Sequence, residues 1–160
     1  GGLGQEEAII KAINHSQPPS AVQCVVNPLN SAGAIGYVSE NFNPSSVLSA
    51  CQKNDIPILA IRVVQAGALT DLMDRLPHSS GFDKSDFEDF EKAKPFRDLA
   101  NTWNESPASL AHRYALSIPG VSSVILGVKN REELLECIQA ETKGLLSQSE
   151  IKTIEGCIEE

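Results

Sequence analysis

Residues 57–64 read Pro57-Ile58-Leu59-Ala60-Ile61-Arg62-Val63-Val64, and this stretch decides the fold class. The run is almost entirely apolar and rich in β-branched side chains, and the polar pair Asn54-Asp55 lies shortly before it. A strand that is apolar throughout is buried on both faces, which is typical of parallel sheets covered by helices. We therefore predict a buried strand of a parallel sheet over residues 57–64.

Two further runs of the same kind lie on either side of it. Residues 21–26 stop at Asn27-Pro28, and residues 121–126 follow the turn at Pro119-Gly120. Helical spacing of apolar residues, with a break at Pro95, predicts helices over residues 5–14, 45–53, 83–104, 107–115, 130–138 and 147–158. Long loops are expected over residues 28–44 and 65–82, the second with a short helical turn near 69–73. Strands that alternate with helices predict an α/β fold, either a barrel or a doubly wound sheet.

Composition and charge exclude several classes of protein. The chain has 160 residues, 41% of them apolar and 21% charged, as in globular domains, and it has no apolar run of about 20 residues that could span a membrane. A net charge of −8 without any Lys/Arg cluster argues against nucleic acid or an anionic membrane as a partner. The four cysteines lie far apart, which fits reduced thiols in the cytoplasm better than disulfides or a zinc site. The opening residues 1–4 run directly into a helical pattern, which suggests either a chain cut from a larger protein or a flexible terminus.

Several motifs at the strand ends, taken in order, resemble bacterial-type members of the aldo-keto reductase family. They are Gly2-Leu3-Gly4, Val22-Gln23 with Asn27-Pro28-Leu29-Asn30, Ala66 to Thr70, Ser106-Pro107-Ala108, Pro119 to Gly127, Asn130 to Glu136, and Leu146-Ser147 with Glu150. The resemblance implies the second half of a (β/α)₈ TIM barrel, from about strand 5 or 6 to strand 8. Residues 1–160 would then form a single segment without a second domain.

The same resemblance implies an oxidoreductase that reduces a small aldehyde or ketone with NADP(H), or alternatively with NAD(H). The family's catalytic Asp, Tyr, Lys and His lie in the first half of the barrel, so we expect the parent protein to be the enzyme and this chain to hold no catalytic residue. The remaining candidates for proton transfer, here interpreted as structural or solvated, are Tyr37, Tyr114, His15, His78 and His112. The alternative function is a non-catalytic nucleotide-binding or interaction module, a truncated half barrel that self-associates to cover its sheet edges.

Four candidate cofactor-binding residues follow from the first two strands. By resemblance, Gln23 binds the nicotinamide carboxamide, a task that suits an amide because it donates and accepts at once. Without the resemblance, Gln23 is a polar residue at a strand end. Ile61 stands where many members have an aromatic ring that stacks on the nicotinamide, and Arg62 and Val64 belong to the same stretch. Arg62 is expected either to bind a phosphate or to pair with a carboxylate.

The remaining candidates surround the third strand and the helix after it. The resemblance places Gly127, Val128 and Lys129 at the 2′-phosphate end of the cofactor, with Lys129 either as a phosphate contact or as a solvated surface lysine. Glu133 stands where the family often has Arg or Gln against the adenosine, and Cys137 where it usually has Asn. A glutamate there would repel phosphate unless it faces the ribose.

Overall fold

The computed structural model of the chain describes residues 5–35 and 42–159. Predictions that concern Gly1 to Gly4 and Tyr37 lie outside these residues. The three predicted strands are β1 (Val22–Val25), β2 (Ile58–Ile61) and β3 (Val121–Val124). They form one parallel sheet in the order β1-β2-β3. Parallel pairing of short apolar strands is therefore confirmed.

The loop after β2 differs from its prediction. β2 ends at Ile61, and three non-glycine residues that follow have left-handed backbone, with φ of 58° at Arg62, 44° at Gln65 and 53° at Ala66. The short helical turn is a 3₁₀ helix over Gln65–Gly67, earlier than the predicted 69–73. The side-chain amide of Asn27 donates to the carbonyl oxygen of Arg62 at 2.9 Å, which helps to turn the chain out of the strand. Hydrogen bonds between residues far apart in the chain cannot be predicted from the conformational propensities of single residues.

The described residues form seven helices, and the predicted break at Pro95 is confirmed. The segment predicted over residues 83–104 is two helices that meet at Ala93, since Pro95 in the first turn of the second has no N–H to continue a preceding helix. The helices are α1 (Glu6–Ile13), α2 (Pro44–Lys53), α3 (Lys84–Lys92), α4 (Lys94–Thr102), α5 (Pro107–Ser117), α6 (Arg131–Thr142) and α7 (Gln148–Glu159).

Side-chain caps begin two of these helices, α5 and α6. The hydroxyl oxygen of Ser106 accepts from the backbone N–H of Ser109 at 3.1 Å at the start of α5. The side-chain oxygen of Asn130 accepts from the backbone N–H of Glu133 at 2.9 Å at the start of α6. Each cap satisfies an N–H that the first helical turn leaves unpaired, so these helix starts are fixed locally.

The core lies on one face of the sheet. Cys24, Ile58 and Ala60 point into a continuous apolar cluster that also contains buried residues of α1, α2, α4, α5 and α7. Successive side chains of a strand point to opposite faces, and the alternate residues Gln23 and Leu59 are outside that cluster. A doubly wound sheet would carry helices on both faces, so this one-sided packing is the geometry of a barrel segment.

Candidate functional site

The sheet face opposite the core carries a row of three side chains, one from each strand. Gln23 is paired in register with Leu59, and Leu59 with Ser123. The Gln23 side chain is exposed and makes no hydrogen bond within residues 5–35 and 42–159. Ile61 lies two positions further along β2, on the same face and nearer the carboxyl edge of the sheet. The structure therefore brings Gln23 and Ile61 together on one face, here called the open face, which is exposed at Gln23 and half-buried at Ile61.

Ser123 belongs to this row although the sequence analysis did not select it. An irregularity in the pairing of β2 with β3 places Val121 opposite Ile58 but Ser123 opposite the next residue, Leu59. Because of that shift, Ser123 rather than Ser122 shares the row with Gln23. Two adjacent serines in a strand indicate only that one of them faces each side, so the sequence contained no signal for the choice.

Arg62, at the carboxyl end of β2, is engaged by groups of the protein itself. Its Nε donates to the carbonyl oxygen of Ala32 at 3.0 Å, and its Nη2 lies 3.6 Å from Oδ1 of Asp86. Arg75 donates to the other oxygen of Asp86 at 2.9 Å. Burial lowers the pKa of Arg62, and Asp86 opposes that effect by favouring the charged form. Of the two expectations for Arg62, pairing with a carboxylate is the one that the structure shows.

Gln65 and Asp89 extend this arrangement into a buried network. The side-chain N–H of Gln65 donates to Oδ2 of Asp89 at 2.7 Å, and the Ser31 hydroxyl donates to the same oxygen at 2.5 Å. Asp86 and Asp89 are three residues apart on α3 and therefore share a helix face. We call Ser31, Arg62, Gln65, Asp86 and Asp89 the α3 network. It ties the loops after β1 and β2 to one helix at the carboxyl edge of the sheet.

Val64 follows Arg62 closely in sequence, but its side chain packs against the core. Its half-buried side chain packs against the apolar cluster beneath the sheet. The structure therefore places Ile61 on the open face and Val64 against the core, although the resemblance groups them in one stretch.

The loop after β3 contains the exposed residues Gly127, Val128 and Lys129. The ammonium of Lys129 forms an ion pair with the carboxylate of Asp74, and its backbone N–H donates to Oε2 of Glu133 at 2.8 Å. The positive end of the α6 dipole is thus already in contact with a carboxylate of the chain.

Cys137 packs between two helices. Its sulfur lies 3.1 Å from Nε2 of His112, whose side chain is buried on α5. Burial raises the pKa of the Cys137 thiol and lowers that of the His112 imidazole, so both groups are uncharged at neutral pH. This pair is therefore a neutral contact between α5 and α6 and not an activated thiolate.

The described residues contain neither a metal-binding cluster nor a membrane-spanning helix. Among residues 5–35 and 42–159, no three His, Cys, Asp or Glu side chains are grouped so that they could hold a metal ion. Within the same ranges, no helix has the length and apolar character needed to cross a membrane.

A parallel sheet with helices on one side, an open inner face and loops gathered at the carboxyl edge defines a segment of a (β/α) barrel. The chain matches the sequence profile of the Aldo/keto reductase family over residues 6–159, and it belongs to that family. The glycerol dehydrogenase of Gluconobacter oxydans has a similar fold, with a TM-score of 0.62 and 18% identity over 86% of this chain. The match covers 42% of that enzyme, so the present chain spans less than half of its length. No curated protein matches the chain in sequence.

Proposed function

We propose that this chain is the cofactor-binding, carboxyl-terminal half of an oxidoreductase that reduces an aldehyde or ketone. The cofactor is a nicotinamide dinucleotide, NADP(H) in most of the proteins that it resembles and NAD(H) as the alternative, and it supplies the hydride. A polypeptide that carries the remaining strands supplies the catalytic residues. The parent protein is then an enzyme of the cytoplasm, a location favoured by four cysteines that form no disulfide among the described residues.

The observation that carries this proposal is the unpaired amide of Gln23 on the open face of the sheet. The amide offers one acceptor and two donors, which is what a carboxamide ligand needs from its partner. Leu59 and Ile61 form an apolar floor beside it, suited to the edge or face of a nicotinamide ring. The donor set at this end of the site therefore fits the cofactor.

The surface at the β3 edge supports the second part of the proposal, that other strands complete the barrel. β3 is paired only with β2 among the described strands, so its outer edge presents free backbone groups. Six large apolar side chains that follow β3 or belong to α6 are exposed, and they are here called the β3/α6 surface: Ile125, Leu126, Val128, Leu134, Leu135 and Ile138. Exposed apolar residues grouped in this way mark an interface.

A complementary half fits this surface better than a second copy of the chain does. A closed (β/α) barrel of this class has eight strands, of which the described residues supply three. Two copies would bring together six, whereas the uncovered part of the Gluconobacter enzyme is larger than the part that this chain matches. Self-association of a non-catalytic half barrel remains the alternative function, and it predicts a dimer of the isolated chain.

Cofactor binding tests the first part of the proposal. The 160-residue chain is titrated with NADH and with NADPH, and binding is followed by the fluorescence of the reduced nicotinamide. Gln23→Leu should weaken binding of both about tenfold, because it removes hydrogen bonds worth about 1–1.5 kcal/mol. Gln139→Leu is the matched control, since Gln139 is an exposed glutamine of α6. A wild-type chain that binds neither dinucleotide contradicts the proposal.

The size of the native protein tests the second part. We expect the polypeptide from its natural source to have about twice the 17.2 kDa of this chain, and its upstream sequence to encode the catalytic Asp, Tyr, Lys and His. A native polypeptide of 17.2 kDa that is a dimer by light scattering would support the self-associating module instead.

A further inference from the structure

The start of α6 already contains an anion of the chain. The loop after the last strand and the N-terminus of the next helix are where (β/α) barrels commonly hold phosphates. Here the carboxylate of Glu133 accepts the backbone N–H of Lys129 at 2.8 Å, while Asn130 caps the backbone N–H of Glu133 at 2.9 Å. A phosphate at this position would meet a negative charge and would have to displace Glu133 from its N–H donor.

The Lys129 ammonium does not offset the negative charge of Glu133. The Lys129 ammonium is paired with the carboxylate of Asp74, from the loop after β2. At the one lysine that the resemblance assigns to the 2′-phosphate, Asp74 pairs with the ammonium and Glu133 accepts the backbone N–H. The donor set at this end of the site does not fit a 2′-phosphate.

A ribose 2′-hydroxyl, unlike a 2′-phosphate, is compatible with these residues. A 2′-hydroxyl donates a hydrogen bond, and an ionised carboxylate only accepts, so the two are complementary. A 2′-phosphate adds up to two negative charges and brings only acceptors at neutral pH. We propose that Glu133 makes this chain select NAD(H) over NADP(H), with Asp74 as a second determinant because it neutralises Lys129. This inference rests on the proposed function, that the chain binds a nicotinamide dinucleotide.

The test compares the dissociation constants of NADH and NADPH for the 160-residue chain and its variants. Wild type should bind NADH at least tenfold more tightly than NADPH. Glu133→Gln should shift the NADPH/NADH ratio about tenfold toward NADPH, the size of effect expected for one carboxylate acting on a doubly charged phosphate in a water-like medium. Gln is compatible with the third position of a capped helix, so the variant should leave the start of α6 intact.

Two further variants test whether a change in the NADPH/NADH ratio is specific to Glu133 and Asp74. Asp74→Asn releases the Lys129 ammonium and should shift the ratio in the same direction as Glu133→Gln. Glu132→Gln is the matched control, because it removes a charge from the same turn of α6 at an exposed residue for which the described chain shows no ion pair or hydrogen bond. The ratio for Glu132→Gln should stay within about twofold of wild type, as expected for a screened surface charge.

The outcomes separate this inference from the proposed function. If wild type prefers NADH and Glu133→Gln weakens that preference, the proposed function and the selectivity are both supported. Equal or tighter binding of NADPH by wild type, or an unchanged ratio in Glu133→Gln, overturns the selectivity and leaves cofactor binding standing. A chain that binds neither dinucleotide overturns the proposed function and the selectivity that rests on it.

Discussion

Replacement of Glu105 by Gln should destabilise the fold, because this carboxylate is buried and accepts from three side chains. The Glu105 carboxylate lies just before α5 and is 6% exposed. Its Oε2 accepts from Arg113 at 2.6 Å, and its Oε1 accepts from the Ser109 hydroxyl at 2.5 Å and from Lys143 at 3.2 Å. Burial opposes the charge of Glu105, but these donors outweigh it and lower the pKa of the carboxyl group.

The size of the effect follows from what the substitution leaves behind. Removal of one partner from a buried ion pair costs about 3–5 kcal/mol, because the other charge stays buried without compensation. Arg113 is 14% exposed and keeps a hydrogen bond to the carbonyl oxygen of Gly144, and Lys143 is 45% exposed and can return to water. We therefore expect about 3 kcal/mol, the lower end of the range, out of a total of about 5–15 kcal/mol for a typical domain.

The effect should also depend on pH in one direction. The folded-state pKa of Glu105 is below the ordinary value of 4.5, so its contribution to stability is complete above pH 4.5. It is lost as the pH falls through the folded-state pKa. The difference in free energy of unfolding between wild type and Glu105→Gln should therefore be constant near neutrality and should narrow on acidification below 4.5.

Urea unfolding followed by tryptophan fluorescence is the assay. Trp103 is the single tryptophan and packs against the core close to Glu105, so its emission reports the loss of this packing. Glu88→Gln is the control, because Glu88 forms an exposed ion pair with Lys84 at 3.3 Å that is worth at most about 0.5 kcal/mol. A Glu105→Gln variant that loses no more stability than Glu88→Gln, or a difference that grows on acidification, would refute the reasoning.

Two further predictions concern a glycine and two cysteines. Gly33→Ala should cost about 1–3 kcal/mol in urea unfolding, because Gly33 has φ of 58° and a Cβ there would overlap the carboxylate of Asp86. The control is Gly156→Ala, where nothing lies within 4 Å of the new Cβ. Its higher helix propensity should raise the free energy of unfolding by about 0.5–1 kcal/mol. A loss of stability in Gly156→Ala equal to that in Gly33→Ala would contradict the prediction. Cys24 and Cys51 should resist a thiol reagent at pH 8 in the native protein and should react once urea unfolds it. Both side chains are buried, and burial raises the pKa of Cys24 to about 12 and also raises the pKa of Cys51. Rapid labelling of both residues without denaturant would show that the sheet does not shield them.

The sequence determined those features that depend on near neighbours. Apolar runs fixed the three strands, and the caps at Ser106 and Asn130 fixed two helix starts, because the interacting groups lie within a few residues of each other. The order and spacing of motifs also identified the family, which the match over residues 6–159 confirms. Gln23 and Ile61 are candidates by resemblance, but their place on one face of the sheet follows from the pairing of β1 with β2.

Only the tertiary structure decided the partners of residues that are far apart in the chain. Arg62 pairs with Asp86, which is 24 positions away, because the left-handed turn after β2 carries its side chain toward α3. Ser123 joins the row of Gln23 because the pairing of β2 with β3 is irregular at one position. Lys129 meets Asp74 across two loops at the carboxyl edge of the sheet. In each case the partner depends on the path of a loop or the register of a strand, and long-range packing sets both.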